Sequence, residues 1–230
     1  HDFCRYAIPA AVKTWVRYLD TFGITMLDEL TLDVQDEFVA WRIEDLRHQG
    51  YGGSTGTVRR ELGVLKAAIR DAWKRGHLTE VPYIRSAPMP HPRQRYLTPG
   101  EAKQLLAACS QPHIRLYVLL ALHTLQRPKA ILELRTTQVN LDAGHIDFHP
   151  DGEVQTAKQR PVVPITATLH PELVRAIRES RSGYVVEYHG RPVAKIRAGF
   201  DTARRAAGLS DDVTPYVLRH TGATLLAAAG

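Results

Sequence analysis

Two cysteines, Cys4 and Cys109, stand in 230 residues and carry no metal-ligand spacing. That scarcity argues against a disulfide scaffold and a thiolate metal centre, and a reduced, cytoplasmic protein is the reading that follows. No stretch approaches the ~20 apolar residues that cross a bilayer. The opening residues, HDFCRYAIPAAVKTW, lack both the layout of a signal peptide and an initiator Met, so the chain is expected to be a piece of a longer protein. There is no internal repeat, no low-complexity tract and no acidic cluster that would hold a metal ion, and no cofactor is expected. What remains, 44% hydrophobic and 23% charged residues, is the composition of an ordinary globular protein with one large domain or two smaller ones.

The net charge is +6, and its placement says more than its size. Residues 1–90 carry 12 Lys and Arg against 12 Asp and Glu, while residues 91–230 carry 18 against 12. The whole excess lies in the second part. Such a surface attracts phosphate backbones, and equally RNA or anionic membranes.

Composition breaks at residues 79–98, where prolines stand at 82, 88, 90 and 92. Proline removes backbone donors and fixes φ, so this segment reads as an extended connector. The organisation expected is a helical domain at 1–80, a linker at 81–97 and a second domain at 98–230. In the first, helices are expected over 9–22, 33–49 and 55–76, each followed by glycine. Val34, Phe38 and Trp41 share a face of the second helix. Along the third, Val58, Leu62, Leu65, Ile69 and Trp73 fall at helical spacing and predict a buried stripe. Beside them Arg59, Lys66, Arg70 and Lys74 occupy a sector of about 80°, a candidate DNA-binding face. A solvated face balanced by Glu61 and Asp71 is the plainer reading.

The second domain mixes helix with a small sheet. Thr98-Pro99-Gly100-Glu101 has the residues of a capping box with proline at the first helical position. Helices are expected at 113–126, 128–135, 170–181, 193–207 and 215–229. Between them the period changes to two. Ile146 and Phe148 alternate with polar residues, His149-Pro150-Asp151-Gly152 signals a turn, Val154 and Thr156 continue beyond it, and Val162-Val163-Pro164-Ile165 follows. Residues 184–188 suggest a further short strand. The fold class is therefore mainly α with a small antiparallel β-sheet.

Four segments go beyond a generic basic protein. Thr124-Leu125-Gln126-Arg127 places an arginine at a helix junction, and Leu132-Glu133-Leu134-Arg135 follows. Thr156-Ala157-Lys158-Gln159-Arg160 places a lysine at a hairpin. Tyr216-Val217-Leu218-Arg219-His220-Thr221 opens the last helix. Arg204-Arg205-Ala206-Ala207-Gly208-Leu209 ends the helix before it. In this order they resemble the signature of the tyrosine recombinase, or phage integrase, family: its Thr-Gly-x-Arg segment with a Leu-x-Leu-Arg pair, its lysine hairpin, and its His-x-Leu-Arg-His-Thr motif. The likeness spans nearly the whole chain, since residues 9–78 look like that family's helical core-binding domain.

The resemblance implies site-specific recombination of double-stranded DNA, the integration or excision of phage or mobile DNA through a 3′-phosphotyrosyl intermediate. Guanidinium forks match phosphate oxygens and keep their charge. Arg127 and Arg219 would clamp the scissile phosphate, and Lys158 would protonate the departing 5′ oxygen, which demands a lowered pKa or rapid proton relay. Tyr216 and His220 would complete the site. DNA contacts are expected from Arg59, Lys66, Arg70 and Lys74 and from Arg93 and Arg95 of the connector, with the two domains closing on the duplex. Family members assemble as tetramers on paired sites; this chain alone would be a monomer.

Three departures stand out. Tyr216 occupies the usual histidine slot, and a phenol near pKa ~10 is a poor base at neutral pH. Ala130 stands where the family commonly has Glu or Asp, with Glu133 one turn further on as the candidate substitute, and Gln126 replaces a small residue. The chain also ends at Gly230, ahead of the positions where the family carries its later site residue and nucleophilic tyrosine, so these 230 residues are not expected to cleave DNA. Tyr216 and Ala130 keep a second reading open, a non-catalytic DNA-binding protein of the same fold.

Overall fold

The computed structural model describes residues 2–90, 95–149 and 160–228, with side chains from residue 7 onward. The chain divides into two compact units, His1–Arg93 and Gln94–Gly230, each with its own hydrophobic core. Among the described residues no helix is long and apolar enough to cross a membrane. The architecture is mainly α-helical with small antiparallel sheets.

The first unit packs three helices, α1 (Asp2–Phe22), α2 (Leu32–His48) and α3 (Thr55–Lys74). α1 starts earlier than the sequence reading has it and runs through Pro9. Aromatic residues dominate the core: Trp15 stacks on Phe38 with centroids 3.6 Å apart, and Tyr18 meets Phe38 edge-on. The indole of Trp15 donates to the Glu61 carbonyl at 3.0 Å, and Tyr18 Oη donates to the Val34 carbonyl at 3.0 Å. Each buried aromatic thus satisfies its polar atom while filling space.

The apolar stripe of α3 is buried at Val58, Leu62 and Ile69 and partly at Leu65, but Trp73 in the last turn is 46% exposed. The core takes Leu78 and Ile84 from the connector instead. The connector is therefore not a free tether over its first half. Ile84 and Ala87 are buried in the first unit, and the side-chain amide of Gln35 donates to the Tyr83 carbonyl while its oxygen accepts from the Arg85 N–H. Proline content alone marks the segment as extended and is silent about what it packs against.

The second unit contains α4 (Pro99–Ala108), α5 (Pro112–Thr124), α6 (Pro128–Leu132), α7 (His170–Glu179), α8 (Arg197–Ala206) and α9 (Pro215–Ala228). A three-stranded antiparallel sheet joins β1 (Val139–Asn140), β2 (His145–Asp147) and β3 (Val162–Pro164), with Ile146 opposite Val163. The expected strand at 184–188 shrinks to β4 (Glu187–Tyr188), paired with β5 (Arg191–Pro192). β1 is too short for any alternation to show in sequence. Val154 and Thr156 lie outside the described residues.

α5 is the central element, buried without a break from Leu116 through Ala121. A helix apolar on all sides must be surrounded, and its most extensive partner is α9. The two approach to backbone contact at Gly222, where a Cβ would run into the Leu122 carbonyl oxygen and the Leu125 side chain. One residue earlier, the fully buried Thr221 accepts from the Leu97 N–H at 2.8 Å and donates to the Val217 carbonyl at 2.8 Å. Overpacking of a tight core typically costs about 1–3 kcal/mol, and here the obstacle is backbone. Gly222→Ala should therefore lower the unfolding free energy of the second unit, read from a denaturant titration, by about 3 kcal/mol, whereas Gly63→Ala, in mid-helix with nothing within 4 Å of a new Cβ, should raise stability by about 0.5–1 kcal/mol. Equal effects of the two changes would contradict the packing described.

Candidate functional site

α9 divides its residues by face. Val217, Leu218, Thr221 and Gly222 turn into the core, while Tyr216, Arg219 and His220, at i, i+3 and i+4, share the other side. Tyr216 is 57% exposed, Arg219 is half-buried and His220 is exposed. Arg127 reaches the same region from the junction of α5 and α6. There Leu125 adopts the left-handed conformation, φ 55 and ψ 24, and Arg127 is the extended residue capping α6. Gln126 is buried and donates to the Thr124 carbonyl at 3.0 Å. The glycine of the Thr-Gly-x-Arg pattern thus falls at Leu125, where a side chain at positive φ costs about 1–2 kcal/mol. That departure matters more to the backbone than the one at Gln126.

The arginines sense each other. The Arg219 guanidinium is pushed below its usual range, first by burial and then by the positive charge of Arg127, while Tyr216 opposes the shift. Neither Arg127, Arg219, Tyr216 nor His220 has a hydrogen bond or ion pair from its side chain among the described residues. Two like charges brought together with no carboxylate beside them form a receptor for an anion, and guanidinium remains protonated at any ordinary pH. Among the described residues no hydrogen bond or ion pair ties His220 to the pair.

Tyr117, which the sequence does not single out, belongs to the same region. It is fully buried on α5, its hydroxyl has no partner among the described residues, and burial followed by the charge of Tyr216 raises its pKa. Within an unbroken apolar helix no sequence signal distinguishes it. Lys158 lies outside the described residues. Arg160, just after it, donates to Glu133 at 2.7 Å, and Lys129 lies 3.4 Å from the other oxygen of that carboxylate. Glu133 thus anchors the chain at Arg160 and has no hydrogen bond or ion pair to Arg127; Ala130 is buried in the core. No group of His, Cys, Asp and Glu suited to a metal ion occurs among the described residues.

The basic stripe of α3 is a separate surface on the first unit. The two acids that could have balanced it are engaged elsewhere: Glu61 is buried in a forked pair with Arg42, at 2.9 Å, and Asp71 pairs with Arg75 at 2.7 Å. Lys66, Arg70 and Lys74 are exposed, form no ion pair among the described residues, and line a groove of 410 Å³ with Gly63, Ala67 and Asp71. Arg59 differs, since it is half-buried and donates to the Ala87 carbonyl at 2.6 Å. Of the connector arginines, Arg93 lies outside the described residues. Arg95 is engaged within its own unit, forking onto Glu101 and lying 3.5 Å from Asp212, so its charge is largely matched there. Arg85 likewise pairs with Asp36.

With this geometry established, comparison with known proteins is informative. The phage integrase family model matches residues 95–230. No curated protein matches the chain in sequence. Among solved structures, a lambda integrase dimer bound to a COC′ core site superposes with a TM-score of 0.74 at 20% identity, over 95% of this chain and 80% of that one. The Tn1549 transposon integrase in complex with transposon right end DNA gives 0.75 at 18% identity, over 96% and 81%. A lambda integrase tetramer bound to a Holliday junction gives 0.70 at 20%, over 95% and 65%. At these identities the likeness establishes the fold.

The Arg95–Glu101 pair yields a pH prediction. The Glu101 carboxyl is held down at about 2, by the Arg95 guanidinium first and the Thr98 N–H second, against an ordinary 4.5. A depressed carboxylate contributes stability that is fully present above its unfolded pKa and is lost as pH falls towards the folded one. The second unit should therefore lose stability between about pH 4.5 and 2, and Glu101→Gln should flatten that part of the profile. An unchanged acid profile would show that the pair contributes nothing.

Proposed function

Because the chain belongs to the phage integrase family of tyrosine recombinases, whose work is site-specific DNA recombination, we propose that these residues bind duplex DNA and form the phosphate-clamping part of a recombinase active site. One observation carries this reading: Arg127, from the junction of α5 and α6, and Arg219, on the face of α9 that also presents Tyr216, lie within range of each other's charge with no ion pair to a carboxylate among the described residues. The roles are as follows. The two guanidiniums hold the non-bridging oxygens of the scissile phosphate and stabilise the extra negative charge of the crowded phosphorus centre. Tyr216, in the histidine slot, donates a hydrogen bond to a phosphate oxygen. Lys158 protonates the leaving 5′ oxygen, and His220 supports the site from its flank.

The nucleophile is a tyrosine other than Tyr216 and Tyr117. Tyr216 stands in the slot of a supporting residue, and the Tyr117 hydroxyl is buried. Lys66, Arg70 and Lys74 supply phosphate contacts from the first unit. On paired sites the whole recombinase assembles as a tetramer, and the 230-residue chain is a monomer in solution. Buried Ala130 and the tyrosine in the histidine slot favour one alternative, a DNA-binding protein of this fold without catalysis.

Binding of a labelled duplex should weaken steeply with salt, with a slope of about −0.9 per phosphate neutralised. Lys66→Ala with Arg70→Ala should weaken all sequences alike and flatten that slope by up to ~2. A double variant identical to wild type would remove the stripe from the interface. On a nicked cognate site the 230 residues should leave no covalent adduct. An adduct that Tyr216→Phe abolishes would make Tyr216 the nucleophile and overturn the assignment. For a longer product that does form an adduct, Arg127→Ala or Arg219→Ala should slow it by about 10²–10³, and wild-type rates would remove that arginine from the clamp.

A further inference from the structure

We propose that Tyr83 is a non-ionic DNA contact, an exposed ring that packs on the deoxyribose edge of a duplex whose phosphates are held by Lys66 and Arg70. The proposal rests on the DNA-binding reading above and adds to it a surface that charge alone does not reveal.

The connector at Tyr83 is rigidly mounted. Gln35 is 1% exposed, and its amide nitrogen donates both to the Leu30 carbonyl at 2.8 Å and to the Tyr83 carbonyl at 2.9 Å. Its amide oxygen accepts from the Arg85 N–H at 2.9 Å. A buried amide with both ends satisfied fixes the backbone on either side of Ile84, and Ile84 itself is inserted in the core. In an extended chain neighbouring side chains point opposite ways. Burial of Ile84 therefore turns Tyr83 outward, and its ring is 71% exposed.

A single exposed aromatic is ordinary; its surroundings are what give this one meaning. Val81, Pro82 and Tyr83 line a groove of 220 Å³ together with Lys66 and Arg70. The same two cations line the 410 Å³ groove that also contains Gly63 and Ala67. Lys66 and Arg70 thus form a ridge with an apolar, aromatic trough on one flank and, on the other, a groove floored by Gly63 and Ala67 and bordered by Asp71 and Lys74. Gly63 has no packing reason to be glycine, since a Cβ there meets nothing within 4 Å, and it costs mid-helix stability. Unpaired cations call for an anionic partner, and the troughs call for one that also offers apolar surface and approaches closely. Duplex DNA offers both, with sugar faces alternating with phosphates. An acidic protein segment is the competing occupant.

Anisotropy titration of the full 230-residue chain with a labelled duplex tests the idea, with heparin as a polyanion lacking nucleobases and deoxyribose. Tyr83→Ala should weaken duplex binding about five- to tenfold, the effect of losing one partly buried ring. It should leave the salt slope unchanged, because no phosphate contact is lost. Tyr83→Phe should stay within about twofold of wild type, and heparin binding should not respond to either change. The thermal midpoint should hold, since the ring is exposed. Wild-type affinity in Tyr83→Ala, or a flattened slope, would overturn the proposal and leave the DNA-binding reading standing. A wild-type chain that binds no duplex would overturn both.

Discussion

Arg127 and Arg219 bear like charges that act on each other, and each is carried by a segment packed into the core of the second unit. Arg219 is fixed because the opposite face of its helix is locked into the core by Val217, Leu218, Thr221 and Gly222. Arg127 is fixed because it follows directly on α5, the most buried helix of the unit, through a left-handed turn at Leu125. The joint between them is the backbone contact at Gly222. Repulsion between partly desolvated cations costs stability, and so does a leucine at positive φ. Both are sustained by burial of α5 and α9 against each other and the surrounding core. Such local costs cluster where a protein is shaped for something outside itself.

The first unit reaches a cationic surface by a different route. Its residues 1–90 carry no net charge excess, so its basic face depends on where the acids go. Glu61, adjacent in sequence to the stripe, is drawn inward by the guanidinium of Arg42, and the Trp15 indole bonds the backbone of the same residue. Asp45 joins Arg42 and Arg17 on the same side of the pairing. With Glu61 engaged in the core and Asp71 paired with Arg75, α3 presents Lys66, Arg70 and Lys74 with no ion pair among the described residues, and Asp71 borders the same groove. The buried pair therefore does more for the electrostatics of the surface than for net stability, where desolvation offsets much of the attraction.

The sequence by itself determined the division into two parts, the helices, the period change that marks the sheet, and the residues of the capping box at Thr98 and Glu101. These follow from local rules, 3.6-residue and two-residue periodicity and the chemistry of proline and glycine, which act within a few residues and need no partner. Arg127 and Arg219 were singled out by resemblance to the family signature. Tertiary structure alone decided which charges stay free. Arg59, Lys66, Arg70 and Lys74 look equivalent on a helical wheel, yet Arg59 is tied to the Ala87 carbonyl; Arg95 resembles a linker cation, yet Glu101 and Asp212 claim it. Likewise Trp73 is exposed although the helical pattern places it in the buried stripe, while Ile84, held in register by Gln35, fills the core from the connector. Partners 6 to 117 residues apart settle these outcomes. Ion pairing and burial depend on distance in space, which the order of residues along the chain does not encode locally.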